Sequence, residues 1–202
     1  MSEELSKQGH MLHLKLPTDP RWADMAGKSI EGVLVDHAYC EQKAASSCIS
    51  LIVTFPELTK LVETLTPIVA EEWNHFERVL EQLKKRGYTL GRMRKDEYVN
   101  QLMKHIRKSN RDEHLIDRLL IGALIEARSC ERFKMLWQNI EDEELQKFYY
   151  ELMVSEAGHY VTFIELAREY QTREVVDKRW QEFLEIEADI LRNMEVRGDR
   201  MH

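Results

Sequence analysis

The sequence predicts an all-α fold, a four-helix bundle with additional flanking helices. Glycine and proline are scarce, 8 and 4 in 202 residues, which is too few for a turn-rich β architecture. Apolar residues recur by alternating steps of three and four along four long stretches, the mark of a helix stripe facing a core. Each stretch also carries a glutamate in the middle of that stripe, and two carry a histidine one turn further on. Carboxylates and imidazoles in a buried seam are costly unless something compensates them.

A chain of this length can bury roughly 70% of the surface its unfolded form exposes, so residues 1–202 are expected to form one domain with loosely ordered tails at 1–16 and 198–202. The opening Met1 to His10 is polar, with no apolar leader core, and His10 to Leu16 alternates only loosely. Pro17-Thr18-Asp19-Pro20 is a helix-start signal with Asp19 as cap, and a short helix over Arg21 to Ala26 follows. The first long helix is expected from Ser29 to Thr54, stopping at Phe55-Pro56 because proline disfavours helix in the residue before it. Its seam reads Leu34, His37, Glu41, Ala45, Cys48, Ile52, Phe55.

Glu57 to Leu65 is helical, and Thr66-Pro67 either kinks that helix or starts a new one. The seam Leu61, Leu65, Ile68, Glu72, His75, Val79 runs on to Arg86, and Gly87 ends the helix. Tyr88 to Arg94 is a basic loop, and Asp96 to Ser109 an amphipathic helix through Tyr98, Leu102, His105 and Ile106. A long helix from Asp112 to Gln138 has the seam Leu119, Ala123, Glu126, Cys130, Phe133, Trp137. After the turn at Asn139 to Asp142, the seam Leu145, Tyr149, Leu152, Glu156, His159, Phe163, Leu166, Tyr170 defines the next. Arg173 to Arg197 is the last helix, packed on the outside, and a polar, frayed end follows.

Charge is unevenly placed. Lys84 to Arg111 holds ten basic residues against two acidic ones, a local +8 in a chain of net -7, so the remainder carries -15. That separation suggests a surface facing a polyanion, with Lys84, Lys85, Arg86, Arg92, Arg94 and Lys95 as candidate contacts. The longest apolar run, Cys48 to Phe55, is far short of the roughly 20 residues a membrane span needs. Three cysteines form neither a Cys-x-x-Cys pair nor an even framework, which suits a reducing compartment. A cytoplasmic protein with no membrane partner is expected.

Two Glu-x-x-His pairs are weak evidence by count alone. Their setting is stronger, because each pair lies on a core seam and each follows a helix with its own seam glutamate. One Glu from each of two helices and Glu-x-x-His from each of the other two is the ligand set of carboxylate-bridged di-iron bundles. Levels agree as well. Glu41 and Glu72 are centred on the Phe55-Pro56-Glu57 break, Glu126 and Glu156 on the Asn139 to Asp142 turn, at separations of 31 and 30 residues. Asp36, Glu71 and Glu131 lie off the seams. Four converging carboxylates repel one another unless cations counter them, and two ferrous ions would supply the matching charge. Glu72 and Glu156 are the expected bridges, with Glu41 and His75 completing one metal and Glu126 and His159 the other. His37, one turn from Glu41, is expected to support the site from behind rather than to ligate. Tyr39, Tyr149 and Tyr160 are expected to pack.

Four strings, Asp36-His-Ala-Tyr-Cys-Glu-Gln-Lys-Ala-Ala-Ser-Ser47, Glu72-Trp-Asn-His-Phe-Glu-Arg-Val79, Ile125-Glu-Ala-Arg-Ser-Cys-Glu-Arg-Phe133 and Ser155-Glu-Ala-Gly-His159, together resemble the MiaE-type tRNA hydroxylases of the ferritin-like superfamily. The likeness runs from about His13 to the last helix, and all six ligand positions are filled. It implies an oxygen-dependent di-iron mono-oxygenase acting on the isopentenyl side chain of 2-methylthio-isopentenyl-adenosine, next to the anticodon in tRNA. With no flavin, nicotinamide or rubredoxin-like motif in the chain, the electrons would come from a separate reductase. Two rival readings share parts of the pattern. A ferritin-like ferroxidase or iron store would keep the ligands but not need the basic segment, and a metal-free helical RNA-binding protein would need only the latter.

Overall fold

The computed structural model describes residues 12–202, so Met1 to His10 and the start of the His10 to Leu16 alternation lie outside it. Among the described residues there are seven helices: α1 Arg21–Gly27, α2 Ile30–Thr54, α3 Thr59–Lys85, α4 Glu97–Met103, α5 Arg111–Asn139, α6 Glu143–Tyr170 and α7 Arg173–Arg192. They fall into two compact units. One comprises residues 12–23, Asp96–Val196 and His202; the other comprises Asp24–Lys95 and Arg197–Met201. In the second, α2 and α3 form an antiparallel hairpin, and in the first α5 and α6 form another, with α7 packed on α4, α5 and α6.

The α3 seam is buried along its length, from Leu61 and Leu65 through Ile68, Glu72, His75 and Val79. This packing explains why α3 runs unbroken through Pro67. Proline removes the bond to the Glu63 carbonyl, but Pro67 and Glu63 lie on the exposed face, where water can take that carbonyl. Thr66 Oγ1 donates to the Val62 carbonyl at 2.6 Å beside it. Gly87, at φ +74°, supplies the left-handed turn that ends the helix. In α2 and α5 the seams drift near their C-terminal ends, where Leu51 and Leu136 are buried instead of Ile52 and Trp137.

Side-chain caps set most helix starts. Asp19 accepts from Arg21 N at 2.9 Å ahead of α1, Asp96 from Val99 N ahead of α4, Asn110 from Asp112 N and Glu113 N, and Asp142 from Glu144 N and Leu145 N. The Asp96 to Ser109 helix proves to be only Glu97–Met103. Its continuation is turned away because Asp117, on α5, accepts from Arg107 N at 2.8 Å and from the Arg107 guanidinium. The last helix likewise ends at Arg192, five residues before the expected Arg197, with Asn193 Nδ2 donating to the Asp189 carbonyl.

Both ends of the described chain make specific contacts. Leu16 O accepts from Arg128 Nη2 at 2.8 Å, and Thr18 is held by Glu131. At the other end Met201 is buried and its N–H donates to Asp36 at 2.9 Å, while Arg200 pairs with the same carboxylate at 2.8 Å. Gly198 permits this docking, since a Cβ there would meet the backbone of Met25 at 2.4 Å. His202 stacks on Tyr98 with ring centroids 5.1 Å apart.

Candidate metal centre

In the α2–α3 hairpin, Glu41, Glu72 and His75 are buried and each offers a ligand atom within 4.8 Å of the others. His75 Nδ1 lies 3.7 Å from Glu41 Oε2 and 3.7 Å from Glu72 Oε2. Those distances are too long for hydrogen bonds. They are close to the spacing of donors around one ion, because ligands at about 2.1 Å from a metal lie on the order of 3.0–3.4 Å from each other. His37, fully buried, contacts Glu41 Oε1 through Nε2 at 2.5 Å. This contact holds Glu41 with Oε2 on the His75 side.

The α5–α6 hairpin repeats the arrangement. Glu126, Glu156 and His159 are buried, with ligand atoms again within 4.8 Å of one another, and His159 Nδ1 is 3.6 Å from Glu156 Oε2. In both hairpins the histidine presents Nδ1 to the carboxylate one turn before it. This equivalence is what the shared Glu-x-x-His spacing produces on a helix. Three oxygen-or-imidazole donors per hairpin, all buried, fit an iron or manganese ion better than a thiolate-seeking metal.

The off-seam carboxylates have other duties. Asp36 binds Arg200 and the Met201 amide. Glu131 accepts from Thr18 Oγ1 at 2.6 Å and pairs with Arg128. Of the tyrosines near the site in sequence, Tyr39 donates to the Gly91 carbonyl, Tyr149 packs on Phe133 and Phe148, and Tyr160 on Trp180.

The candidate polyanion contacts divide by what they touch. Lys84, Lys85, Arg92 and Lys95 are exposed. Arg86 is half-buried, with Nη1 2.5 Å from Gln82 Oε1. Arg94 is engaged inside its unit, donating to the Gly32 carbonyl at 2.9 Å and the Asp199 carbonyl at 2.6 Å and pairing with the Asp199 carboxylate at 2.5 Å. Arg107, also part of the basic stretch, is consumed by Asp117 and Glu113.

Sequence reasoning missed a buried ionic network in the α5–α7 unit. Arg128 donates to Glu187 Oε1 through Nε at 2.9 Å and Nη2 at 2.6 Å, and to Thr18 Oγ1 at 3.0 Å. Tyr98 Oη donates to the same carboxylate at 3.2 Å. Burial pushes the Glu187 carboxyl up despite Arg128. Burial alone would lower Arg128, but Glu187 and Glu131 more than offset it. Arg132, 4.9 Å from the Trp22 ring centroid, is pushed down to about 10 by burial and by the like charge of Arg128. A mid-helix arginine flanked by buried apolar neighbours was the available signal.

Over residues 4–202 the chain matches the family described as tRNA-(MS2IO6A)-hydroxylase (MiaE). It is 40% identical over 157 residues to the tRNA 2-(methylsulfanyl)-N(6)-isopentenyladenosine(37) hydroxylase of Pseudomonas putida, covering 78% of this chain and 76% of the relative. To the protein of the same name from Salmonella typhimurium it is 36% identical over 132 residues, 65% of this chain and 48% of that relative. The fold is similar to that of protein 43 with aldehyde deformylating oxygenase activity from Synechococcus, with a TM-score of 0.89 at 33% identity over 94% of both chains. The all-α, ferritin-like architecture expected from the sequence is therefore the one observed.

Proposed function

The chain belongs to the MiaE family of tRNA hydroxylases, and from that premise we propose that it is an oxygen-dependent di-iron mono-oxygenase hydroxylating the isopentenyl side chain of 2-methylthio-isopentenyl-adenosine beside the anticodon in tRNA. The observation that carries the reading is the duplicated, buried donor set, Glu41, Glu72 and His75 in one hairpin and Glu126, Glu156 and His159 in the other. In this reading Glu41, Glu72, His75, Glu126, Glu156 and His159 would hold a pair of metals, with Glu72 and Glu156 as bridges. Four carboxylates gathered in a poorly solvated interior need about four positive charges, which two ferrous ions would provide.

Two bound irons would supply the O2 activation that attack on an unactivated methyl group requires. The chain's own residues supply the rest. Apolar seams on every helix keep bulk water from the donors, and His37 fixes the orientation of Glu41. Lys84, Lys85, Arg92 and Lys95, exposed near the end of α3 and in the loop after it, would meet RNA phosphates in this reading. The two electrons come from an external reductase, since the sequence carries no flavin or nicotinamide fingerprint.

The test is nucleoside mass spectrometry on methylthiolated, isopentenylated tRNA incubated with iron-loaded protein, O2 and a chemical reductant. One added oxygen on the modified adenosine, absent with Glu72→Ala, is the expected result; no added oxygen from an iron-loaded, O2-consuming protein refutes the substrate. The activity named for the Synechococcus neighbour makes aldehyde deformylation the second reading. An aldehyde offered to the same preparation separates the two.

A further inference from the structure

A cavity of about 240 Å3 opens in the α5–α7 unit. Leu12, Leu14 and Pro17 from the segment before α1 form one wall, Cys130 and Met153 the floor, and Lys134 lies at its edge. Cys130 Sγ donates to the Met153 carbonyl at 3.4 Å and closes the base. Cys130 stands one helical turn after Glu126, and Met153 one turn before Glu156. Burial pushes the Cys130 thiol up to about 12.

The wall is a built feature. Arg128 reaches across to the Leu16 carbonyl and to Thr18 Oγ1, and Glu131 holds the Thr18 amide and hydroxyl. The Glu131 charge at the cavity is thereby countered by Arg128. Lys134, half-exposed, is left as the cation at the mouth. The result is a largely apolar slot with one ammonium at its rim, whose floor residues Cys130 and Met153 each stand one helical turn from a donor glutamate.

We infer that this cavity receives the prenyl side chain of the substrate nucleotide, with Lys134 meeting a neighbouring phosphate. The inference rests on the hydroxylase reading and goes beyond it by assigning the residues that select the substrate. Size agrees, because a cavity of roughly 150 Å3 lined by aliphatic groups takes up benzene, so 240 Å3 admits a five-carbon chain together with a methylthio group. Chemistry agrees too, since the floor and wall offer thioether, thiol and aliphatic surface to an apolar chain. Full burial of such a chain is worth on the order of a hundredfold in affinity.

The experiment compares binding of two anticodon stem-loops, one carrying the methylthio-isopentenyl adenosine and one with plain adenosine, to the iron-loaded protein, with product formation read in parallel. Wild type is expected to prefer the modified loop by about tenfold or more. Leu14→Trp, which fills the slot from its half-buried wall, should reduce that preference to within about twofold while leaving affinity for the plain loop unchanged. Met153→Trp provides the same test from the floor. Lys134→Glu should weaken both loops alike and lower the salt dependence of binding. If folded Leu14→Trp and Met153→Trp proteins keep the wild-type preference and still hydroxylate, the cavity is not the prenyl site and the hydroxylase reading stands. If wild type neither prefers the modified loop nor adds oxygen, the hydroxylase reading fails and takes this one with it.

Discussion

Replacing Arg128 by methionine tests the network that ties the segment before α1 to α5 and α7. The substitution keeps an unbranched stem of similar shape but deletes the bonds to Glu187, Thr18 and Leu16 and the pairing with Glu131. Glu187, fully buried, is left with Tyr98 Oη as its remaining hydrogen-bond partner. Breaking a buried pair in this way costs about 3–5 kcal/mol. At roughly 2–4 °C per kcal/mol for a domain of this size, the melting temperature should fall by roughly 6–20 °C. The informative control is the double variant Arg128→Met with Glu187→Leu. Burial already works against ionised Glu187, so removing both charges should cost no more than removing Arg128 alone, giving a strong favourable coupling in a double-mutant cycle. Urea unfolding of the four proteins measures this. A loss below about 1 kcal/mol in Arg128→Met, or simple additivity in the double variant, would refute the argument.

Three further predictions concern the metal, the acid limb and the RNA surface. Reconstituted wild type should hold about two irons per chain, and Glu72→Ala or Glu156→Ala clearly fewer at unchanged helicity, as read by metal analysis and circular dichroism. Asp117 is buried, which alone would raise its pKa, but Arg107 and Arg179 more than offset this and hold the carboxyl below its ordinary value. Such a group contributes stability above its unfolded pKa of about 3.9 that is lost as pH falls through the lower folded value. Asp117→Asn should therefore be destabilised by about 3 kcal/mol at pH 7, with the gap to wild type narrowing below about pH 4; parallel urea-unfolding curves at the two pH values would contradict this. Charge reversal at Lys84 and Arg92 should weaken tRNA binding and flatten its salt slope without lowering stability. By contrast, Arg94→Ala should destabilise the protein, by freeing Asp199 and the C-terminal segment, and titrations at two salt concentrations together with thermal melts distinguish the two classes.

What was legible in the chain was local and periodic. Glu72 and His75 stand three residues apart in the run Leu61, Leu65, Ile68, Val79, and a helix of 3.6 residues per turn has no option but to place them on its buried stripe. The same holds for Glu156 and His159, and the hairpin levels follow from counting residues on either side of each turn. The Asp19 cap was readable for the same reason, since it acts on the amide two residues further on. Matters decided by groups far apart in sequence were hidden. The early stop of α4 depends on Asp117, ten residues beyond Arg107, and Arg179, 62 residues further along from Asp117, binds the same carboxylate. Arg94 reads as one more cation in a basic stretch until Asp199, 105 residues away, occupies it. The cavity wall at Leu12 and Leu14 exists because Arg128 reaches the Leu16 carbonyl across 112 residues. Periodicity states which face of an element turns inward, but which charges meet there, and what space they leave open, is set by packing among elements that the chain brings together only when folded.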